Sequence, residues 1–193
     1  MNEHIRRITR LVALLNLGYF GIEFAIGLAI GSVSLFADSI DFLEDTAMNV
    51  LVLLALSWDA QRRARRGKVL AALILVPSMA TLWMTWQKFT SMAQPAPVPL
   101  TLGGGGALLV NVTCALMLVR YRRHGGSLVR AAYLSARNDV FANIAIITAG
   151  LVSLWWASAW PDLAVGIGIL ALNLGAAREV WSAASKEQLI ETP

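Results

Sequence analysis

The stretch SVSLFADSIDFLEDTAMN, residues 32–49, places four acidic residues within eight positions of an otherwise apolar run. Its flanks, AIGLAI and VLVLLALSW, are apolar enough to belong to membrane-spanning helices. A carboxylate at membrane depth costs about 2.5–3.5 kcal/mol unless it is paired, protonated or bound to a metal. The cluster therefore indicates a functional site, and its members are Asp38, Asp41, Glu44 and Asp45.

The composition of the chain is that of a polytopic membrane protein. Of its 193 residues, 57% are hydrophobic and 15% are charged, which is too apolar for a soluble domain of this size. Cys114 is the single cysteine, so neither a disulfide framework nor a Cys-based metal cluster is expected. The net charge of +4 reflects membrane orientation, and no nucleic-acid partner is expected.

Six apolar segments predict an all-α protein, a bundle of six transmembrane helices. The Pro-rich connector MAQPAPVPL, residues 92–100, is not expected to continue a helix, and Pro77 is expected to kink the third one. Residues 1–182 are predicted to form the transmembrane domain and residues 183–193 a short cytoplasmic tail. The predicted spans are 11–30, 33–58, 69–89, 101–119, 128–155 and 163–181.

The basic residues predict the orientation of the bundle. The N-terminus, the loop at 59–68 and the loop at 120–124 hold eleven of the sixteen Lys and Arg residues. The turns at 31–32 and 157–162 hold none. Because cytoplasmic loops are enriched in basic residues, both termini are expected to be cytoplasmic.

The fifth predicted span carries a second polar set. Ser135, Asp139 and Asn143 are spaced i, i+4, i+8 and share one helix face, while Asp41 and Asp45 share a face of the second helix. At 1.5 Å per residue both sets lie near the middle of the membrane. Two carboxylate-bearing helices matched in depth predict a shared site for a divalent cation.

Other polar residues have less specific interpretations. Among the four acids Asp38 fits a structural, helix-capping role best, because it is closest to the outer end. Glu44 is rotated away from the others, toward another helix or a polar cavity. Arg137 is expected to pair with an acid on another helix, namely Glu44, Asp38 or Glu23. No histidine lies within a span to activate Ser135, so an enzyme is not expected. Several polar residues either line a pathway or form hydrogen bonds between helices: Asn16, Glu23, Asn111 and Asn173.

These motifs resemble the cation diffusion facilitator family. GSVSLFADSIDFLED (31–45) is similar to the second-helix signature of that family, and AAYLSARNDVFAN (131–143) is similar to its fifth-helix signature. LNLGYFGIEFAIG (15–27) and WPDLAVGIGIL (160–170) are similar to its first and sixth helices. By position, the resemblance implies a metal site formed by Asp41, Asp45, Ser135 and Asp139, with Asp38, Asn138 and Asn143 as secondary candidates.

The chain departs from the family pattern at two points. Ser135 stands where the family commonly has His or Asp, and the chain is interpreted as a short member without the cytoplasmic C-terminal metal-binding domain. The oxygen ligands favour Mn²⁺ or Fe²⁺, with Zn²⁺ and Co²⁺ also open.

The resemblance implies a homodimer in the lipid bilayer, in the plasma (inner) membrane of a bacterium, that exports the ion by proton antiport and needs no resident cofactor. Two other functions stay open: a non-transporting membrane partner or sensor derived from a transporter fold, and a proton-coupled carrier of an organic cation.

Overall fold

A computed structural model describes residues 3–54, 79–122 and 126–172, and every regular element in these ranges is a helix. The inner ends of the predicted second, third and sixth spans, with Pro77, the loop at 59–68 and the tail at 183–193, lie outside the described residues. The helices are α1 (Glu3–Ile30), α2 (Val33–Leu54), α3 (residues 79–91), α4 (Pro97–Val119), α5 (Gly126–Trp155) and α6 (Trp160–Leu172).

Three of these helices are long and apolar enough to cross a membrane, namely α1, α4 and α5. α2 has the length of a span and differs from them by its four acids. Large apolar side chains point outward along the bundle, for example Leu116 (66% exposed) and Phe141 (65% exposed). An apolar exterior around a polar interior is the arrangement of a protein whose solvent is lipid, and the prediction of a helical polytopic membrane protein is confirmed.

The four fully described long helices pack as a ring. α1 lies against α2, α2 against α5, α5 against α4, and α4 against α1, while α2 and α4 touch only slightly across the ring. α2 and α5 are therefore neighbours, as a site shared between the second and fifth helices requires.

A very short turn joins α1 to α2, as the Gly31–Ser32 pair predicts. Gly31 has φ +62°, a left-handed conformation that glycine adopts without a Cβ clash. The amide of Ser32 then donates to the carbonyl of Gly27 at 2.9 Å, which closes the end of α1. The turn holds α1 and α2 antiparallel and in close contact.

The start of α4 differs from the prediction. The connector was expected to exclude helix up to residue 100, but α4 begins at Pro97. Pro97 and Pro99 occupy the first turn, where backbone N–H groups have no partner within the helix, so their missing N–H groups cost little. A proline-rich segment can therefore begin a helix although it cannot continue one.

Apolar packing closes the ring above and below its middle. The cluster at the end that carries the Gly31–Ser32 turn, the predicted outer end, contains Leu35, Ala37, Leu100, Ile146 and Ile169. The inner cluster contains Val12, Val52, Cys114, Leu118, Val129, Ala132 and Ala136. The acids of α2 and α5 occupy the layer between them.

Candidate metal site

The acids of α2 and α5 face each other across the contact between these helices. Asp41 is 9% exposed and Asp45 is 2% exposed, although both are charged residues. Asp139 on α5 lies near enough to Asp41 and Asp45 for their like charges to repel one another. Half-buried Ser135 contacts the carboxylate of Asp45 through its hydroxyl. The four residues that the sequence motifs single out thus lie on two helices that are adjacent in the bundle.

Two neighbours orient Asp45. The side-chain amide of Asn16 on α1 donates to Asp45 Oδ2 at 3.3 Å, and its carbonyl oxygen accepts from Cys114 Sγ on α4 at 3.4 Å. Asn49 donates to the backbone carbonyl of Asp45 at 2.8 Å. The sequence predicted that Asn16 either lines a pathway or forms hydrogen bonds between helices. It forms such hydrogen bonds, and one of them reaches the candidate site at Asp45.

A second polar layer lies on the outer side of Asp41. Asn143 Nδ2 on α5 donates to Asp38 Oδ2 at 2.5 Å, and Asn111 Nδ2 on α4 donates to Asn143 Oδ1 at 3.0 Å. Glu23 on α1 interacts with the carboxyl group of Asp38. The side chain of Asn143 is thus engaged with Asp38 and Asn111 in this layer.

The remaining candidates lie at the margin of the site. Asn138 is exposed and accepts a hydrogen bond of 3.3 Å from Arg137, which is also exposed. The expected ion pair of Arg137 with Glu44, Asp38 or Glu23 is therefore wrong. An exposed guanidinium at this position points away from the acids, since they face the interior of the ring.

The acids of the site have no cationic partner in the protein as described. Within residues 3–54, 79–122 and 126–172, no Lys, Arg or His side chain lies within ion-pair distance of Asp41, Asp45 or Asp139. In the same ranges no three His, Cys, Asp or Glu side chains converge closely enough to hold a metal. The carboxylates are neighbours rather than a closed coordination shell, and a cation between them would offset their mutual repulsion.

The sequence did not predict a role for Asp162, an acid in the first turn of α6. This buried carboxylate accepts from the hydroxyls of Ser32 and Ser34, each at 2.6 Å, and from the amides of Val33 (2.9 Å) and Ser34 (3.1 Å). Lys88 on α3 lies 4.0 Å from Asp162 and donates to the carbonyl of Gly31 at 2.6 Å. This cluster fastens α3 and α6 to the outer end of α2. Two features of the sequence could have indicated this cluster: an acid at the start of an apolar segment, and the two serines at the start of α2.

Comparison with known proteins agrees with this architecture. Residues 9–186 match the cation efflux transmembrane domain. Relatives include the zinc transporter ZitB of Escherichia coli (strain K12), 26% identical over 171 residues that cover 81% of this chain and 54% of ZitB. The cation-efflux pump FieF of Salmonella arizonae is 29% identical over 157 residues, 74% of this chain and 52% of FieF. The chain spans about half the length of the curated relatives it matches.

Fold and site together define a polytopic helical membrane protein with a carboxylate layer inside its bundle. Because the match extends over most of the sequence, the chain belongs to the cation efflux family, the cation diffusion facilitators. Its members are transporters, so the prediction that this chain is not an enzyme is confirmed.

Proposed function

We propose that this chain exports a divalent metal cation from the cytoplasm across the plasma membrane of a bacterium. The observation that carries the proposal is the burial of Asp41 and Asp45 on α2 beside Asp139 on the adjacent helix α5, where their like charges repel one another. Membership of the cation efflux family and the zinc and cation-efflux functions in the names of the relatives support it.

The proposed first shell is Asp41, Asp45 and Asp139, with Ser135 as the fourth ligand. Carboxylate and hydroxyl oxygens suit hard divalent ions, which favours Mn²⁺ or Fe²⁺, while carboxylates also bind Zn²⁺ and Co²⁺. The exposed position of Asn138 and the engagement of Asn143 with Asp38 leave these residues outside the proposed shell.

Protons supply the driving force in this proposal. Metal and protons compete for the same carboxylate oxygens, so protonation from the acidic outer side releases the ion. Alternating access then returns the protonated site to the cytoplasmic side. A homodimer is part of the same proposal, and its mass can be measured on the purified chain in detergent.

Metal uptake by proteoliposomes tests this function. We expect the wild-type chain to carry Mn²⁺ or Zn²⁺ into liposomes with an acidic lumen, and a protonophore to slow this uptake. Asp45→Asn and Asp139→Asn should reduce flux to the level of protein-free liposomes, whereas Glu3→Gln, an acid exposed near the N-terminus, should transport like wild type.

Two results would contradict the proposal. If both Asp variants transported at the wild-type rate, the site assignment would be wrong. If the wild-type chain folded and moved no divalent ion, it would instead be a non-transporting partner or a carrier of another cation. An organic-cation carrier is recognised by binding that divalent metals do not compete away.

A further inference from the structure

Glu23 on α1 is an acid that lies wholly inside the described part of the bundle. Its side chain is 0% exposed, and neither carboxylate oxygen has a hydrogen-bond partner. Asp38, also 0% exposed, lies opposite on α2 within hydrogen-bonding reach of Glu23, and its Oδ1 has no donor among the described residues. Buried polar atoms are nearly always satisfied, so three unpartnered carboxylate oxygens at one place indicate a missing ligand.

Either a proton shared between the two carboxyl groups or a bound cation satisfies these oxygens. Two adjacent buried carboxylates repel each other in a medium of low dielectric constant. Lys88 is engaged at the outer end of α2 with Gly31 and Asp162. Within the described ranges, no Lys, Arg or His side chain is within ion-pair distance of Glu23 or Asp38.

All four helices of the ring contribute polar side chains to this layer. α1 supplies Glu23 and α2 supplies Asp38. On α5, Asn143 holds Asp38 Oδ2, and on α4 the carbonyl oxygen of Asn111 is buried without a partner. Carboxylate and amide oxygens are the ligands that hard divalent cations prefer.

The pair lies about two turns further out than the Asn16–Asp45 contact and about one turn further out than Asp41. Asn16 contacts Asp45 between α1 and α2. Glu23 follows Asn16 by seven residues, and Asp38 precedes Asp45 by seven residues. Because α1 and α2 run antiparallel, both shifts have the same direction, and at 1.5 Å per residue they amount to about 10 Å toward the outer end. An ion that left the Asp41–Asp45–Asp139 site outward would meet Glu23 and Asp38 next.

We propose that Glu23 and Asp38 form a second binding site for a divalent cation, on the outer side of the Asp41–Asp45–Asp139 site. The site receives the ion on its way out, and in this respect the inference rests on the proposed function. Asn143 positions Asp38 in it, and the free oxygen of Asn111 is available as a further ligand.

Equilibrium binding of Mn²⁺ to the purified full chain in detergent tests the second site. The Asp45→Asn/Asp139→Asn variant removes the inner site and should still bind one Mn²⁺. Adding Glu23→Gln, which keeps the size of the side chain, should weaken that remaining binding at least tenfold. Glu3→Gln in the same background serves as the matched control and should leave it unchanged, since Glu3 is exposed.

The possible failures are distinguishable. If wild type binds Mn²⁺ and the Asp45→Asn/Asp139→Asn variant binds none, the second site is refuted and the proposed function stands. The second site is also refuted if adding Glu23→Gln to the Asp45→Asn/Asp139→Asn variant leaves Mn²⁺ binding unchanged. In that case Glu23 and Asp38 hold only a proton. If the Asp45→Asn/Asp139→Asn variant binds like wild type and Glu23→Gln abolishes binding, the second site stands and the inner one is wrong. A monodisperse elution profile and a wild-type helical signal are required of every variant.

Discussion

At the scale of single residues, Ser135 determines how strongly the proposed metal site binds. Its neutral hydroxyl contacts Asp45 and is a weaker ligand than a carboxylate. We expect Ser135→Ala to weaken Mn²⁺ binding less than tenfold, and Ser135→Asp to strengthen it about tenfold, a difference of about 1.4 kcal/mol.

Ser135→Asp should also lower the unfolding temperature without metal and restore it with metal, because added negative charge is compensated only by the bound ion. Titration calorimetry and thermal unfolding with and without Mn²⁺ measure both effects. If Ser135→Ala abolished binding as completely as Asp45→Asn, Ser135 would be a principal ligand.

Asp162 is a structural residue that connects α6 to the first turn of α2. Its two oxygens accept four hydrogen bonds, two of them from the first amides of α2. Asp162→Asn replaces one acceptor by a donor that faces other donors, so we expect a loss of about 2–4 kcal/mol in unfolding free energy. Chemical denaturation in detergent micelles measures it, with Glu3→Gln as the control. An unchanged midpoint would show that the cluster contributes nothing.

The sequence predicted the members of the candidate site better than their partners. Asp41, Asp45 and Asp139 were visible because a carboxylate in an apolar segment is costly wherever it lies, and helical spacing alone placed them on common faces. Asn143 also belongs to the predicted stripe, but its hydrogen bond to Asp38 depends on the relative rotation and height of α2 and α5. No local pattern encodes that quantity, and the same holds for the contact between Glu23 and Asp38.

At the scale of helices, α6 depends on one glycine for its contact with α2. A Cβ atom at Gly166 would lie 2.6 Å from Val33 Cγ1 and 2.9 Å from the amide nitrogen of Ser34. Gly168, two residues on in the same helix, has nothing within 4 Å of such an atom. These two positions form a matched pair.

We expect Gly166→Ala to destabilise the protein by about 1–3 kcal/mol, because backbone atoms of α2 cannot move aside easily. Gly168→Ala should be neutral or stabilise by up to about 1 kcal/mol through helix propensity. Thermal unfolding of the two variants in detergent compares them directly. Equal unfolding temperatures would mean that α6 does not pack on α2 in this way.

The helix boundaries show which local sequence signals are sufficient to predict where a helix ends or begins. Gly31 predicted the turn between α1 and α2, since a left-handed residue is needed there and glycine supplies it. Pro97 did not predict the start of α4, because proline both stops a preceding helix and begins a following one. The choice between these roles depends on where α4 packs against α5 and α1.

At the scale of the whole molecule, the ring of α1, α2, α5 and α4 explains why two distant motifs form one site. α2 and α5 lie about ninety residues apart in the sequence, yet they are adjacent in the ring. The apolar clusters above and below the acid layer keep it away from both surfaces. Any movement that exposes the layer on one side must therefore separate one of these clusters.

The orientation of the whole bundle can be tested with single cysteines, because the native Cys114 is 0% exposed and should not react with a membrane-impermeant maleimide. Met92, between α3 and α4, is 40% exposed, and Arg7 is exposed near the start of α1. Basic segments stay on the cytoplasmic side, so Met92→Cys should be labelled in intact cells and Arg7→Cys only after permeabilisation. Wild type should remain unlabelled in both conditions. The reverse labelling pattern would place both termini outside the cell. The bundle would then be inverted in the membrane, and the proposed direction of transport would be wrong.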